Sequence, residues 1–415
     1  MDLPTFDWLL GPEGQAVLAE LALHPLNEAA TLPELTRLRR TLSPAQAAAA
    51  LEIALLRRRA VAKFPAAARL YLTREALEQA SAAPVAAHRA ARLAASYSHV
   101  ADLGCGIGGD ALALAAAGAR VTAVDRDPLR LAMARANAEA LGLADRISFA
   151  QCDLLAEPPP RAEALFCDPG RRAGGRRRFS VAEYEPPLAR VLAWRQHTPA
   201  LAVKLAPGVS IAELPPDAEI EFVSLEGELK EAVLWCAPLA RVARRATVLR
   251  TTGNEQTERH ELAGDPRNHQ PSAISPPRAF LYEPDPAVIR AGLVADLAAN
   301  LDAAQLDPEI AYLTAERHIV TPFARAWPVL AWLPFSLKRL RARLRELGAG
   351  PVTVKKRGSA LDADTLARQL SGPGTRPLVA VLTRVQGRPA ALICGPPLSG
   401  QDGSSRDAGA SRMPG

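Results

Sequence analysis

The sequence has few cysteines, and none of them is paired. The five stand alone, at positions 105, 152, 167, 236 and 394, and no CxxC spacing occurs. Structural zinc sites and disulfide frameworks need closely spaced or paired cysteines, so we expect neither, and we predict no metal site. Isolated cysteines also favour a reducing compartment such as the cytoplasm.

The sequence also has no long apolar run. No stretch reaches the roughly 18 consecutive apolar residues that a membrane-spanning helix needs. The N-terminal segment MDLPTFDWLL carries an acidic residue where a secretory signal needs basic ones, and no cleavage pattern follows it. We therefore expect a cytoplasmic protein with no membrane partner.

The composition is that of an ordinary globular protein, with 48% hydrophobic and 23% charged residues. A chain of 415 residues is too long for one core, so we expect two or three domains. The formal net charge of +6 is mild, and it permits nucleic-acid binding without requiring it.

The most informative segment is VADLGCGIGGD, residues 100–110. It indicates an apolar strand that ends in Asp102, then a glycine loop, then an alanine-rich helix. Gly104, Gly106 and Gly108 permit a sharp turn and direct contact between the backbone and a ligand. The N–H groups of the loop and of the helix N-terminus would face that ligand. The pattern therefore predicts a cofactor site.

Four acidic residues stand at the ends of predicted strands: Asp102, Asp125, Asp153 and Asp168. Short strands that alternate with helices predict a mostly parallel sheet, and ligands bind at the carboxyl ends of such strands. An S-adenosylmethionine (SAM) site uses Asp125 for the ribose hydroxyls, Asp102 near the methionine moiety and Asp153 beside the adenine. The residues thus indicate SAM as cofactor and a methyltransferase as the class of enzyme.

A nicotinamide enzyme is the competing interpretation, because Gly104, Gly106 and Gly109 also satisfy GxGxxG. Both kinds of enzyme place an acid such as Asp125 on a ribose. A dinucleotide site requires neither Asp102 nor Asp153, and this difference favours SAM.

The pattern along the chain predicts five segments. They are an N-terminal helical region (1–95), an α/β domain (96–252), a proline-rich linker (253–277), a mixed α+β region (278–396) and a disordered tail (397–415). Within the mixed region, we predict strands around Ile319, at Val352–Lys355, at Leu378–Thr383 and at Ala390–Cys394. Whether the helical region touches the substrate stays open.

The segments DLGCGIGGDALALA and VTAVDRDPLRLAMARANAEALGLADRISFAQCD resemble the core of class I SAM-dependent methyltransferases. Within that class they are most similar to the RNA cap trimethylguanosine synthase type, which methylates an exocyclic amine of guanine. The similarity is dense over residues 100–168. It implies a Rossmann-like sheet and SAM contacts at Asp102, Gly104, Gly106, Asp125 and Asp153.

The C-terminal region resembles the THUMP-like domain that is fused to such enzymes in bacteria. The resemblance lies in FLYEPDPAVIRAGL, from Phe280, and in VTVKKRGSALD, from Val352. Together the two resemblances cover roughly residues 100–394. THUMP domains proper bind RNA, so this resemblance implies an RNA partner.

The chain departs from the guanine enzymes after the fourth predicted strand of the α/β domain, Ala164–Asp168. Those enzymes carry an S-P-P-W type sequence whose aromatic side chain stacks on the base, whereas here Asp168-Pro169-Gly170 is followed by arginines, with no aromatic until Phe179. An arginine guanidinium offers either stacking or phosphate binding at that position.

Asp168 and Pro169 are the predicted catalytic residues. Methyl transfer to an exocyclic amine needs no strong base, because the amine loses its proton after attack. The Asp168 carboxylate would accept one N–H of the amine and the Pro169 carbonyl the other. The alternative role for Asp168 is only to organise its loop.

Two basic segments are predicted to contact RNA, through Arg171, Arg172, Arg176, Lys355, Lys356 and Arg357. A solvated charge run for the first segment and a plain basic turn for the second are the alternatives.

The sequence thus predicts a SAM-dependent methyltransferase that acts on a base amine in RNA. A methyltransferase for a small acidic molecule or a protein, and a non-catalytic SAM- or RNA-binding protein, remain the alternatives.

Overall fold

The structure is a computed structural model that describes residues 1–26, 28–170, 172–173, 176–177, 180–252, 256–268, 271–357 and 362–398. The chain divides into two compact units, residues 1–225 with 230–241 and residues 226–229 with 242–415. Among the helices of the described residues, none is long and apolar enough to cross a membrane.

The first unit begins with a helical region. Its helices are α1 (Leu3–Leu10), α2 (Pro12–Leu23), α3 (Glu28–Leu38), α4 (Pro44–Ala60), α5 (Arg74–Gln79) and α6 (Ala83–Ala94). Ser43 caps α4 by accepting the N–H of Gln46 at 3.3 Å, and Pro44 is the first helical residue. Phe6, Leu51 and Ile53 lie in the buried core of this region.

Strands and helices alternate in the rest of the first unit. In chain order they are β1 (His99–Leu103), α7 (Gly109–Ala116), β2 (Arg120–Asp125), α8 (Pro128–Leu141), β3 (Ile147–Gln151), β4 (Ala164–Cys167), β5 (Arg172–Ala173), β6 (Arg176–Arg177), α9 (Leu188–Ala193), β7 (Leu201–Leu205), β8 (Glu219–Leu225) and β9 (Glu228–Trp235). Among the described residues, strands β5 and β6 pair only with each other.

The main sheet of this unit has the strand order β8-β9-β7-β4-β1-β2-β3. From β7 to β3 all neighbours are parallel, and β9 is antiparallel to β7. This arrangement confirms the predicted Rossmann-like, mostly parallel sheet. Because β4, β1, β2 and β3 are neighbours and run in one direction, their carboxyl ends place Asp168, Asp102, Asp125 and Asp153 along the same edge.

The second unit holds a second sheet. Its elements are β10 (Arg244–Thr251), β11 (Thr257–Gly264), β12 (Phe280–Pro284), α10 (Pro286–Ala291), α11 (Val294–Asn300), β13 (Ala304–Asp307), β14 (Ile310–Ala315), β15 (Ala324–Pro334), α12 (Leu337–Glu346), β16 (Ala349–Lys356), α13 (Ala363–Leu370), β17 (Arg376–Val385) and β18 (Arg388–Cys394). The strand order is β13-β14-β12-β15-β18-β17-β16, and β16 runs parallel to β17. Successive residues of β17 alternate between two buried clusters: Val381 joins one, and Ala380 packs with α12 and α13 in the other.

Two expectations for this unit are wrong. The segment predicted as an irregular linker contains β11, an antiparallel partner of β10. The strand predicted around Ile319 is absent from the described chain, because β14 ends at Ala315 and β15 begins at Ala324. The strands predicted at Leu378–Thr383 and Ala390–Cys394 are present within β17 and β18. Almost all of the tail predicted over 397–415 lies outside the described residues.

Candidate functional site

A cavity of about 450 Å³ opens at the carboxyl edge of the main sheet, in the size range of small-molecule sites. The predicted site residues that line it are Gly104, Gly106, Asp125, Asp153, Asp168 and Pro169. Asp102 and Gly108 were also predicted to bind the cofactor. They are absent from the lining, although their neighbours Leu103, Gly104, Ile107 and Gly109 contribute to it.

The glycine loop has backbone angles that side chains disfavour. Gly104, Gly106 and Gly108 have φ of +82°, +56° and +91°. A Cβ on Gly104 would lie 3.2 Å from the Asp168 carbonyl oxygen, so glycine lets the loop approach the segment after β4. A Cβ on Gly108 would lie 3.2 Å from the Ala134 Cβ, so glycine at this position lets the start of α7 lie close to α8.

Asp125 is held rigidly at the end of β2. One carboxylate oxygen accepts the Gly106 N–H at 2.8 Å, and the other accepts the Asp127 N–H at 2.9 Å. Each carboxylate oxygen has a further lone pair, so hydroxyl groups can still donate to it. Asp153 is exposed, and its Oδ1 accepts the N–H of Leu155 at 2.9 Å.

Asp102 is a buried carboxylate with unmet hydrogen-bonding capacity. The residue is 1% exposed, and neither carboxylate oxygen has a hydrogen bond of ordinary geometry among the described residues, although the Ala111 N–H lies near enough to favour the charged form. Burial raises the pKa of the Asp102 carboxyl well above its usual range; Asp110 and Asp168 act in the same direction, and Arg89 acts against them. A cationic ligand group beside this carboxylate would stabilise its charged form.

Lys204 is a site residue that the sequence prediction missed. It lies in β7, is 3% exposed, and its Nζ is 2.6 Å from Asp168 Oδ2. Both side chains line the cavity. A buried lysine is costly unless it is paired, and this one pairs with the predicted catalytic carboxylate. The signal in the sequence was the single charge inside the apolar strand LAVKL.

The segment after β4 is fixed by its backbone. The Gly170 N–H donates to the Glu185 carbonyl at 2.8 Å, and the Glu185 N–H donates to the Gly170 carbonyl at 2.9 Å. The Glu185 carboxylate also accepts from Arg126 Nη1 at 2.6 Å. These contacts fix the backbone that follows Asp168 and Pro169 at the cavity.

The helical region contributes part of the cavity wall, through Glu75, Ala76 and residues 78–81. Glu75 forms an ion pair of 3.1 Å with Arg130 at the start of α8. Lys63 Nζ donates to the carbonyls of Leu77, at 2.6 Å, and Ala80, at 3.1 Å, and so fixes the end of α5. Part of the helical region therefore lines the cavity, whereas the sequence left open whether this region touches the substrate.

An arginine connects this wall to the sheet. Arg89 of α6 is 1% exposed and bonds to the carboxylates of Asp110 and Glu231 and, at 3.0 Å, to the Ser81 hydroxyl. Asp110 and Ser81 line the cavity. Removing Arg89 would leave two carboxylates unpaired in a buried setting, so it stabilises the cavity rim.

The residues predicted to contact RNA lie in two places. Arg171 lies outside the described residues, and Arg172 and Arg176 lie in the β5–β6 pair. Lys355 Nζ lies 2.6 Å from Glu283 Oε2, and Arg357 Nη2 lies 3.7 Å from Glu283 Oε1. The Lys355 ammonium also lies over the Trp327 ring, and the Arg357 guanidinium lies over the Tyr312 ring. Lys356, between them, is exposed. Lys355 and Arg357 therefore contribute an ion pair and ring contacts within the second unit.

Comparison with known proteins gives three family matches. Residues 100–167 match the family described as a methyltransferase domain, residues 324–396 match THUMP domain-like, and residues 2–60 match a domain of unknown function, DUF8688.

Two curated relatives, from two strains of Mycobacterium tuberculosis, bear the description uncharacterised S-adenosylmethionine-dependent methyltransferase. Each is 41% identical over 318 residues, which is 75% of this chain and 84% of the relative. Among solved structures, one from Porphyromonas gingivalis W83, described as a candidate methyltransferase, matches with a TM-score of 0.67 and 19% identity, over 89% of this chain and 99% of that one. At that identity the match shows the fold alone.

Proposed function

The chain belongs to the S-adenosylmethionine-dependent methyltransferases and carries a THUMP-like domain, and from this premise we propose that it methylates an exocyclic amine of a base in RNA. The observation that carries the proposal is the Asp168 carboxylate, which lines the cofactor cavity and is oriented by Lys204. The THUMP-like match supports RNA, because THUMP domains proper are RNA-binding modules.

The residues of the cavity fit SAM. SAM would supply a methyl group on a sulfonium: the nucleophile bonds to the methyl carbon in line as the carbon–sulfur bond breaks and the thioether leaves. We assign the ribose hydroxyls to Asp125, the adenine to Asp153, and the positively charged amino group of the methionine moiety to Asp102. The buried carboxylate oxygens of Asp102, with their unmet hydrogen-bonding capacity, favour a cationic group there. The positive φ of Gly104 and Gly106 permits close approach of the backbone to the cofactor.

Asp168 aligns the amine that is methylated. Lys204 occupies Oδ2, and no described residue donates to Oδ1, which is therefore available for an N–H of the substrate. The Pro169 carbonyl accepts the second N–H. With both N–H groups held, the nitrogen lone pair has one direction left, so the enzyme gains rate from alignment and from exclusion of water rather than from a strong base.

The test is transfer of a tritiated methyl group from SAM by the purified protein. RNA, protein and small-molecule fractions of a cell extract are offered separately. We expect label in the RNA fraction alone. Label only in protein or in small acidic molecules would contradict the RNA assignment, and SAM binding without transfer to any fraction would contradict catalysis.

The salt dependence of RNA binding gives an independent readout. Each phosphate contacted on a single strand should contribute a slope of roughly −0.7 to the logarithm of the binding constant against the logarithm of salt concentration. A slope near zero would contradict recognition of an RNA backbone by the basic residues of this chain.

A further inference from the structure

A second cavity, of about 670 Å³, lies wholly within the second unit. It is formed by the ends of β10, β12 and β16, the beginning of β15 and the loop 318–322. It has no lining residue in common with the SAM cavity. Its volume lies in the range of sites that take a small organic ligand.

The charges in this cavity are unevenly compensated. Of its carboxylates, Glu283 faces the cations Lys355 and Arg357, whereas Glu226 accepts the neutral N–H of Thr251 and Asp285 that of Ala287 at the start of α10. The cavity also contains two further guanidinium groups, those of Arg250 and Arg325.

These two arginines retain free hydrogen-bond donors. Arg250 donates to the Pro322 carbonyl at 2.8 Å, and no ion pair to it is present among the described residues. For Arg325 the described part of the chain provides neither an acceptor nor a carboxylate within bonding distance. Both residues are exposed, so their guanidinium groups are accessible. Guanidinium groups with free donors bind phosphate oxygens well, often in bidentate fashion.

The positions of the two arginines are partly fixed before any ligand binds. Arg325 stands between the buried Ala324 and Ala326 of β15. Gly227, with φ of +78°, lies beside it, and a Cβ there would be 3.1 Å from Arg325 Nη2. The bond from Arg250 to Pro322 ties β10 to the loop 318–322. Because this bond holds the Arg250 guanidinium, its donors lose less conformational entropy on binding.

The same cavity presents a flat ring. His318 lies over Tyr282, with ring centroids 6.2 Å apart and planes 18° apart, and it also contacts Phe280. The Tyr282 hydroxyl accepts the Ile319 N–H at 2.7 Å, which fixes the loop that carries His318. Beside the ring, Ile319 and Val320 are 37% and 49% exposed. A bare phosphate needs no such surface, whereas a nucleobase stacks on it.

We propose that this cavity binds a nucleoside phosphate, with the phosphate between Arg250 and Arg325 and the base against His318. The ligand is either a free nucleotide or one nucleotide of an RNA strand. The inference concerns binding in the second unit and requires neither SAM nor methyl transfer, so its failure would leave the proposed function untouched.

The test is titration of the full chain, without SAM, with the four nucleoside monophosphates, the matching nucleosides and inorganic phosphate. We expect at least one monophosphate to bind more tightly than both its nucleoside and phosphate. Arg325→Ala should weaken that binding about tenfold or more, the loss expected for a charged hydrogen bond. Arg345→Ala, an exposed arginine of α12 outside both cavities, is the matched control and should bind like the wild type.

Two further variants and a competitor complete the test. His318→Ala should reduce the preference for nucleotide over phosphate. Displacement of the bound monophosphate by a short single-stranded RNA identifies RNA as the source, and binding of the monophosphate without displacement identifies a free nucleotide. Equal binding of monophosphates and RNA by the wild type and the Arg250→Ala/Arg325→Ala double variant, or no binding of either ligand, would overturn the proposal.

Discussion

At the scale of single residues, the account depends most on the pair formed by Asp168 and Lys204. We expect Asp168→Ala to abolish methyl transfer and to leave the SAM dissociation constant unchanged, because this carboxylate is assigned to the substrate. Equal loss of transfer and of SAM binding would remove its catalytic assignment. Calorimetry for SAM and tritiated-methyl transfer measure the two quantities separately.

Lys204 is a positioning residue, and its variants should separate position from charge. Lys204→Met leaves Asp168 without its partner, and a misplaced reacting group costs on the order of 100-fold in kcat. Lys204→Arg restores a cation that bonds to the carboxylate and should recover much of that loss. A merely structural role would not predict that Lys204→Arg restores kcat while SAM affinity stays unchanged. If Lys204→Arg is no more active than Lys204→Met, the positioning role is contradicted.

Asp125 is assigned to the ribose of SAM. A charged hydrogen bond of this kind contributes roughly 1.5–3 kcal/mol, so Asp125→Ala should weaken SAM binding by one to two orders of magnitude. The variant also loses the bonds to the Gly106 and Asp127 N–H groups, so its folding should be checked by circular dichroism. Unchanged affinity in a folded variant would refute the placement of the ribose.

Sequence reasoning reached the acids of the site and not its lysine. Asp102 and Asp125 are among the last two residues of β1 and β2, Asp153 and Asp168 follow β3 and β4, and strand ends can be read from a periodic apolar pattern. Lys204 was missed because it lies inside a strand, and only the parallel pairing of β7 with β4 brings it to Asp168. Such a contact between distant parts of the chain has no local signature.

At the scale of elements, the strands that are buried were predicted best. Strands β1, β2 and β7 lie in the region where the sequence predicts strands that alternate with helices, and each is largely buried. Strand β11 was missed because most of its side chains are exposed and no apolar alternation marks it. Ile319 misled the prediction, because its β-forming side chain lies exposed in a loop.

The glycine loop and helix α7 allow a stability prediction with an internal control. Gly108→Ala puts a side chain at φ +91° and within 3.2 Å of the Ala134 Cβ, so we expect a loss of about 1 kcal/mol or more. Gly109→Ala lies in the first turn of α7 with nothing within 4 Å of its Cβ, and should be neutral or slightly stabilising. Urea unfolding of both variants measures the difference. Equal stability of the two would contradict the packing role of Gly108.

At the scale of the whole molecule, the chain combines a SAM-dependent methyltransferase unit with a unit that contains a THUMP-like domain. The first unit contains the cavity in which we propose that SAM binds, and the Asp168 carboxylate that lines it. In the second, Lys355 and Arg357 are engaged with Glu283, which shifts the expected contacts for an anionic ligand toward Arg250 and Arg325. A basic cluster in a sequence is thus a weaker guide to nucleic-acid contact than the partners that the fold gives each cation.

We propose that the methyl group reaches an exocyclic amine of an RNA base. The most direct test is to label RNA with tritiated SAM, digest it to nucleosides and identify the labelled one, with the wild type and with Asp168→Ala. The account predicts one nucleoside methylated on its exocyclic nitrogen by the wild type and no label with the variant. A methyl group on a ribose oxygen or a ring carbon, or equal labelling by Asp168→Ala, would contradict it.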